Sequence, residues 1–122
     1  MKIYGKEYGF FMSVGATAKL AKQCKDGKIE NLSEIYNLPQ GEQLEKVANL
    51  ICILADAYED KKFYEACGNY ERQHLSVDAI LSLPSDEFQA IQTEMLEAIT
   101  KGAHREIETE TAKKAEAVPE LN

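Results

Sequence analysis

The sequence has no tryptophan and only two histidines, three cysteines and three prolines among its 122 residues. Neither His74 nor His104 has a cysteine or a second histidine at the spacing of a metal site, so we expect no structural zinc. Cys24, Cys52 and Cys67 are odd in number and widely spaced, which favours reduced thiols in a cytosolic protein. Cys52, within an apolar segment, and Cys67 are interpreted as packing residues and not as reactive thiols.

Motifs for nucleotide, calcium or hydrolase chemistry are also missing, since the chain has no P-loop, GxGxxG, EF-hand or GxSxG pattern. One cluster of carboxylates, Asp56, Glu59 and Asp60, fits either a divalent-ion or acid–base site or a solvated helix end. We favour the solvated helix end because Lys61 and Lys62 follow directly. No nucleophile stands beside a base in the sequence. We therefore predict a non-enzymatic protein with no catalytic residue, metal or cofactor.

The chain also lacks net positive charge and a long apolar run. Its formal net charge is -7, which opposes binding to DNA or RNA. The longest apolar run, Ala48–Ala57, is interrupted by Asn49 and is far shorter than the roughly 20 residues of a membrane span. The polar start, Met1–Glu7, does not resemble a signal peptide. We expect a soluble, cytoplasmic protein with neither a nucleic acid nor a membrane as partner.

What the sequence does contain begins with a predicted β-hairpin. Lys2–Tyr4 and Glu7–Phe11 are rich in residues that favour strands. Gly5-Lys6 between them fits a type II′ turn, because glycine takes a positive φ without steric cost.

Apolar residues then recur at the spacing of three and four that predicts helices. The predicted segments are a helix from the cap Ser13 to about Cys24, a short turn at Asn31–Tyr36, a long helix from about Glu42 to Tyr58 or beyond, Val77–Leu83 with Ser76 as its cap, and a last helix capped by Ser85 and ended by Gly102. The predicted apolar stripes are Val14, Thr17, Ala18 and Ala21 in the first helix, Leu44, Val47, Ala48, Ile51, Ala55 and Tyr58 in the long one, and Phe88, Ile91, Met95 and Ile99 in the last.

The fold class is therefore mostly α, a small helical domain over residues 1–102 with a short N-terminal β-hairpin. Residues 103–122 carry many charges and few apolar anchors, so we predict an acidic, flexible tail.

A second apolar row and a group of aromatic residues give the candidate partner-binding surface. An apolar arc as broad as that of the long helix predicts a central helix with neighbours on more than one side. The aromatic residues after it could close the core, or they could leave an apolar patch exposed for a partner. The candidate partner-binding residues are Leu50, Leu54, Tyr58, Phe63, Tyr64 and Tyr70.

The opening Met1–Phe10, MKIYGKEYGF, resembles the start of tail assembly chaperones of long-tailed bacteriophages and prophages, which often begin with an I-x-G-K-x-Y-x-F hairpin. Those proteins continue with a short helix, a long helix rich in Leu and Ala, a segment like Leu75–Leu81 and a last amphipathic helix. All these parts occur in order over residues 1–102. The resemblance implies a chaperone that binds the tape-measure protein and tail-tube subunits in the bacterial cytoplasm during tail assembly.

Three alternatives stay open beside this resemblance. The chain could be a tail-completion or connector subunit of the virion, or an enzyme of unknown type. It could also be a DNA-binding regulator in which Val77–Leu83 and Asp86–Lys101 form a helix-turn-helix. Glu94 and Glu97 count against that regulator because they would face phosphates. The sequence leaves open whether the chain forms a homo-oligomer.

Overall fold

The computed structural model describes the backbone of residues 1–117 and the side chains of residues 1–102. It confirms a mostly helical domain with a short N-terminal hairpin. The elements are β1 (Lys2–Ile3), β2 (Lys6–Glu7), α1 (Val14–Gln23), two 3₁₀ segments (Lys25–Gly27 and Ile29–Asn37), α2 (Gln40–Glu65), α3 (Val77–Leu81) and α4 (Ser85–Ala117). Among the residues described, no helix is long and apolar enough to cross a membrane.

The hairpin turn lies one residue earlier than we predicted. β1 and β2 are antiparallel with Ile3 opposite Lys6, so the turn residues are Tyr4 and Gly5 and not Gly5-Lys6. Tyr4 and Gly5 both have positive φ, 49° and 78°. Positive φ at both central residues identifies a type I′ turn, whose twist matches that of the flanking strands.

The second strand is shorter than predicted because the chain leaves the hairpin to cross α2. A Cβ atom on Gly9 would lie 2.7 Å from the Tyr58 ring, so only glycine allows this crossing. The backbone N–H of Phe11 then donates to the carbonyl of Leu54 over 3.2 Å, which fixes the segment against α2.

α1 begins as predicted but buries a different face. Ser13 Oγ accepts a hydrogen bond from the backbone N–H of Ala16 over 3.0 Å, which confirms Ser13 as the N-cap. The residues of α1 that are buried are Ala16 and Leu20, whereas Val14 in the predicted stripe is 88% exposed. The predicted stripe was wrong for Val14 and Ala18, which are exposed, because α1 packs against α2 through the neighbouring row that contains Ala16 and Leu20.

α2 is the central helix, as its broad apolar arc predicted. It contacts α1, α3, α4 and the second 3₁₀ segment. Its buried apolar residues are Val47, Ala48, Leu50, Ile51, Cys52, Leu54, Ala55 and Ala57. At its C-terminal end Cys67 N donates to the Tyr64 carbonyl and Gly68 N to the Phe63 carbonyl. Cys67 has φ 52°. This pair of bonds around a left-handed residue is a Schellman motif, which ends the helix.

The two last helices differ from the prediction at their ends. Ser76 Oγ accepts from Ala79 N over 3.2 Å, so Ser76 is the cap of α3, which ends at Leu81 and not at Leu83. Ser85 is already helical, because the Pro84 carbonyl accepts the first bond of α4, from Phe88 N. The predicted stripe of α4 is confirmed, since all four of its residues are buried: Phe88, Ile91, Met95 and Ile99.

Gly102 does not end α4, which continues to Ala117. A Cβ atom on Gly102 would lie 2.5 Å from Met12 Cβ and Cγ, so this glycine allows the segment before α1 to pack against α4. The prediction of a flexible tail over residues 103–122 stays a prediction, since those side chains and residues 118–122 lie outside the described part of the chain.

Candidate functional site

The six predicted partner-binding residues divide into two that lie in the core and four that cluster at the C-terminal end of α2. Leu50 and Leu54 are 2% and 0% exposed. Both side chains pack in the core around α2 and have no exposed surface for a partner. The prediction that they bind a partner is therefore wrong.

The four aromatic residues only partly form an exposed patch. Tyr58, Phe63 and Tyr70 are half-buried, whereas Tyr64 is 72% exposed. The rings of Phe63 and Tyr64 meet edge to face, with centroids 5.2 Å apart and an interplanar angle of 87°. This arrangement is the one that aromatic pairs prefer. Tyr64 therefore has a defined orientation although most of its surface faces solvent.

Cationic side chains lie over three of the four aromatic rings, those of Tyr58, Phe63 and Tyr70. Lys62 Nζ lies 4.7 Å from the centroid of Tyr58 and 5.4 Å from that of Tyr70. The guanidinium of Arg72 lies 4.2 Å from the centroid of Phe63. Distances below about 6 Å correspond to cation–π interactions. We call the set Tyr58, Lys62, Phe63, Tyr64, Tyr70 and Arg72 the aromatic–cation surface.

A buried carboxylate lies beneath this surface. Glu59 is 2% exposed, and its Oε1 accepts hydrogen bonds from Tyr70 Oη and Gln73 N, each over 2.7 Å. Our expectation of a solvated helix end was therefore wrong for Glu59. The loop of residues 66–76 folds back over α2 and brings its own donors to the carboxylate.

The second oxygen of this carboxylate, Oε2, is buried and has no hydrogen-bond donor among the described residues. Its nearest cation is Lys62 Nζ at 3.8 Å. Burial disfavours the Lys62 ammonium, but the Tyr70 hydroxyl and the Glu59 carboxylate outweigh burial and raise its pKa. Lys62 therefore stays charged between the two rings and the carboxylate.

Next to this surface is an open cleft with a volume of about 280 Å³. It is lined by Lys19, Asp56, Glu59, Asp60, Arg72, Gln73 and His74. Asp60 Oδ1 accepts a 2.9 Å hydrogen bond from Arg72. Burial raises the pKa of Asp56, and His74, whose Nδ1 is 3.7 Å from Asp56 Oδ1, offsets this only in part. Sequence reasoning found the three acids, whose spacing on α2 places them on one face, but not the residues that other segments bring to them.

The geometry bears on metal binding as well. Among the residues whose side chains are described, no group of three His, Cys, Asp or Glu side chains is placed to hold a metal ion.

The three thiols have different environments. Cys24 and Cys52 are buried, and burial together with Asp56 raises the pKa of Cys52 to about 12. Cys67 is exposed, so its predicted packing role was wrong. It stands at the left-handed position after α2, where its side chain points away from the core.

Comparisons of the chain with protein-family models, curated proteins and solved structures gave no match.

Proposed function

We propose that this protein is a non-enzymatic assembly chaperone of the kind found in long-tailed phages and prophages. In this proposal it binds the tape-measure protein, and with it tail-tube subunits, during tail assembly in the host cytoplasm. The observation that carries the proposal is Tyr64, which is 72% exposed and held edge to face against Phe63 beside Arg72. Tyrosine and arginine are the residue types that most often dominate the energy of protein interfaces.

The physical mechanism follows from what a tape-measure protein presents. Its long apolar helices would aggregate if they were left exposed. An apolar helix face can pack against the exposed ring of Tyr64 in the aromatic–cation surface. The net charge of -7 then helps to keep the complex in solution. The resemblance of residues 1–10 to the hairpin motif of these chaperones and the order of the helices support the same function independently of this surface.

Co-expression with the tape-measure protein of the same phage or prophage tests the proposal. We expect the wild-type chain to raise the soluble fraction of the tape-measure protein and to copurify with it. Tyr64→Ala should abolish most of this effect, because truncation of a hot-spot tyrosine costs at least about 2 kcal/mol, or roughly 30-fold in affinity.

Tyr36→Ala is the matched control. Tyr36 is also partly exposed, at 39%, but it lies in the second 3₁₀ segment, outside the aromatic–cation surface. It should leave copurification unchanged. The proposal fails if the tape-measure protein stays insoluble with the wild-type chain, or if both variants behave alike. Recovery of the chain in purified phage particles would instead favour a tail-completion or connector subunit.

A further inference from the structure

We propose that residues 69–74 form a strap that opens away from α2 as a local unit and uncovers the ring of Phe63. The inference rests on the proposed function, because the open strap enlarges the aromatic area that is offered to the apolar helix of the partner. The closed strap is the resting state, and the partner binds the minor, open state.

The strap has no apolar anchor of its own. None of the residues from 66 to 74 is buried, and the first buried apolar residue after α2 is Leu75, at 2% exposed. Within the described part of the chain, residues 70–75 make no backbone–backbone hydrogen bond. Segments with few buried apolar contacts and few backbone hydrogen bonds open at a lower free energy than the core. The strap can therefore open while the helices stay folded.

The closed strap depends on one buried carboxylate, that of Glu59. Its Oε1 accepts two hydrogen bonds from the strap, from Tyr70 Oη and from Gln73 N, each over 2.7 Å. Its Oε2 is 3.8 Å from Lys62 Nζ and has no hydrogen-bond donor among the described residues. Burial of a carboxylate with an unsatisfied oxygen is costly. Because opening lets water reach Glu59, hydration recovers part of the free energy that is lost with the two hydrogen bonds.

The other polar contacts of the strap lie at the surface. Arg72 donates to Asp60 over 2.9 Å, and both side chains are nearly half exposed. His74 is 80% exposed, and its Nδ1 lies 3.7 Å from Asp56 Oδ1. Exposed ion pairs contribute little to stability. The hydrogen bonds to Glu59 therefore decide whether the strap stays closed.

Opening changes the aromatic–cation surface because Arg72 belongs to the strap. Its guanidinium lies 4.2 Å from the ring centroid of Phe63, and Phe63 meets Tyr64 edge to face. Tyr64 is 72% exposed in the closed state, whereas Phe63 is half-buried. Departure of Arg72 therefore leaves two adjoining rings, instead of one, for an apolar helix of the partner. A partner that binds this state more tightly shifts the equilibrium toward it.

Hydrogen exchange of the whole ¹⁵N-labelled protein, measured by NMR at pH 7 without a partner, tests the opening. The amide of Gln73 reports the strap because it donates to Glu59, and the amide of the fully buried Leu54 reports global unfolding. We expect the amide of Gln73 to be protected, but at least about ten-fold less than that of Leu54. Urea at about 1 M should speed up exchange at Leu54 about five- to thirty-fold and leave exchange at Gln73 nearly unchanged, because local opening exposes little surface.

Two matched variants test the contact that holds the strap. Tyr70→Phe removes one of the two hydrogen bonds to Glu59 and should speed up exchange at Gln73 about 30-fold. Tyr64→Phe removes a hydroxyl group outside the strap and should leave exchange at Gln73 unchanged. In co-expression, Tyr70→Phe should raise the recovery of the tape-measure protein, because a larger fraction of the chain is open. Damage to the binding surface would lower that recovery instead.

Three outcomes would overturn the inference. The first is equal protection and equal urea dependence of Gln73 and Leu54, since the strap would then open only with the whole domain. The second is exchange at Gln73 that Tyr70→Phe does not accelerate. The third is lower recovery of the tape-measure protein with Tyr70→Phe than with the wild type. The exchange experiment contains no tape-measure protein, so its failure leaves the proposed function intact, whereas a tape-measure protein that stays insoluble with the wild-type chain refutes that function and leaves the exchange result unchanged.

Discussion

Removal of the Tyr70 hydroxyl should measure how strongly the buried carboxylate holds the loop of residues 66–76. Tyr70→Phe keeps the ring that faces Lys62, but Glu59 Oε1 loses one of its two 2.7 Å donors. A hydrogen bond to a charged group contributes about 1.5–3 kcal/mol. Tyr70 is half-buried, so we expect a loss of about 2 kcal/mol in the free energy of unfolding.

Urea denaturation followed by far-UV circular dichroism is the assay, since the chain has no tryptophan. With a urea m-value of about 1–2 kcal/mol/M, a loss of this size lowers the midpoint by about 1–2 M. Tyr64→Phe is the control, because the Tyr64 hydroxyl makes no hydrogen bond within the described residues; it should change stability by less than about 0.5 kcal/mol.

A double-mutant cycle with Glu59→Gln tests whether the charge of the carboxylate is responsible. The glutamine keeps an acceptor for Tyr70 but removes the charge, and charge-assisted hydrogen bonds are roughly twice as strong as neutral ones. Tyr70→Phe should therefore cost only about half as much in the Glu59→Gln background. Equal effects of Tyr70→Phe in the two backgrounds, or of Tyr70→Phe and Tyr64→Phe in the wild type, would refute the role assigned to Glu59.

Three further predictions concern packing, thiol reactivity and pH. Gly102→Ala should destabilise the protein by about 1–3 kcal/mol through overpacking against Met12. Gly41→Ala has open space around it and should stabilise α2 by up to about 1 kcal/mol. Changes of the same sign in the two free energies of unfolding, measured by urea denaturation, would contradict this. Ellman's reagent at pH 7.5 should modify Cys67 alone in the folded protein and all three thiols in denaturant; a second fast-reacting thiol in the folded state would show that a buried cysteine is accessible. Folding raises the pKa of Asp56 above 3.8, so the folded state holds the proton of this carboxyl group more tightly than the unfolded state. Stability is therefore lost as the pH rises from 3.8 through the pKa of the folded state. The melting temperature of Asp56→Asn should exceed that of the wild type by more at pH 7 than at pH 3, and a difference that is constant or smaller at pH 7 would contradict this.

The helices could be predicted because the signals that form them are local. Ser13 and Ser76 cap their helices by accepting a hydrogen bond from the backbone N–H three residues further along the chain. Such a contact depends only on a short stretch of sequence. The stripe of α4 was likewise confirmed. The same local logic misplaced the end of α4, since Gly102 has the sequence signature of a helix stop. Whether a glycine ends a helix or admits a neighbour depends on a distant residue, here Met12.

At the candidate site, too, local sequence signals do not report contacts with distant residues, and the effect is larger. The spacing of Asp56, Glu59 and Asp60 correctly places three acids on one face of α2. Their environments are set by residues 66–76, which fold back and supply the Tyr70 hydroxyl, the Gln73 N–H and the Arg72 guanidinium. Nothing local predicts that return, so the acids were interpreted as solvated.

The loop of residues 66–76 makes the aromatic–cation surface and the neighbouring cleft physically dependent on each other. Tyr70 belongs to the aromatic–cation surface and binds Glu59, which lines the cleft, and Arg72 covers Phe63 while it neutralises Asp60. A substitution at Glu59, Tyr70 or Arg72 therefore disturbs both regions and cannot assign an effect to either. Tyr64 packs against Phe63 in the first region, and Asp56 lines the second. Loss of partner binding in Tyr64→Ala, with partner binding retained in Asp56→Asn, would assign the contact with the partner to the aromatic–cation surface and not to the cleft.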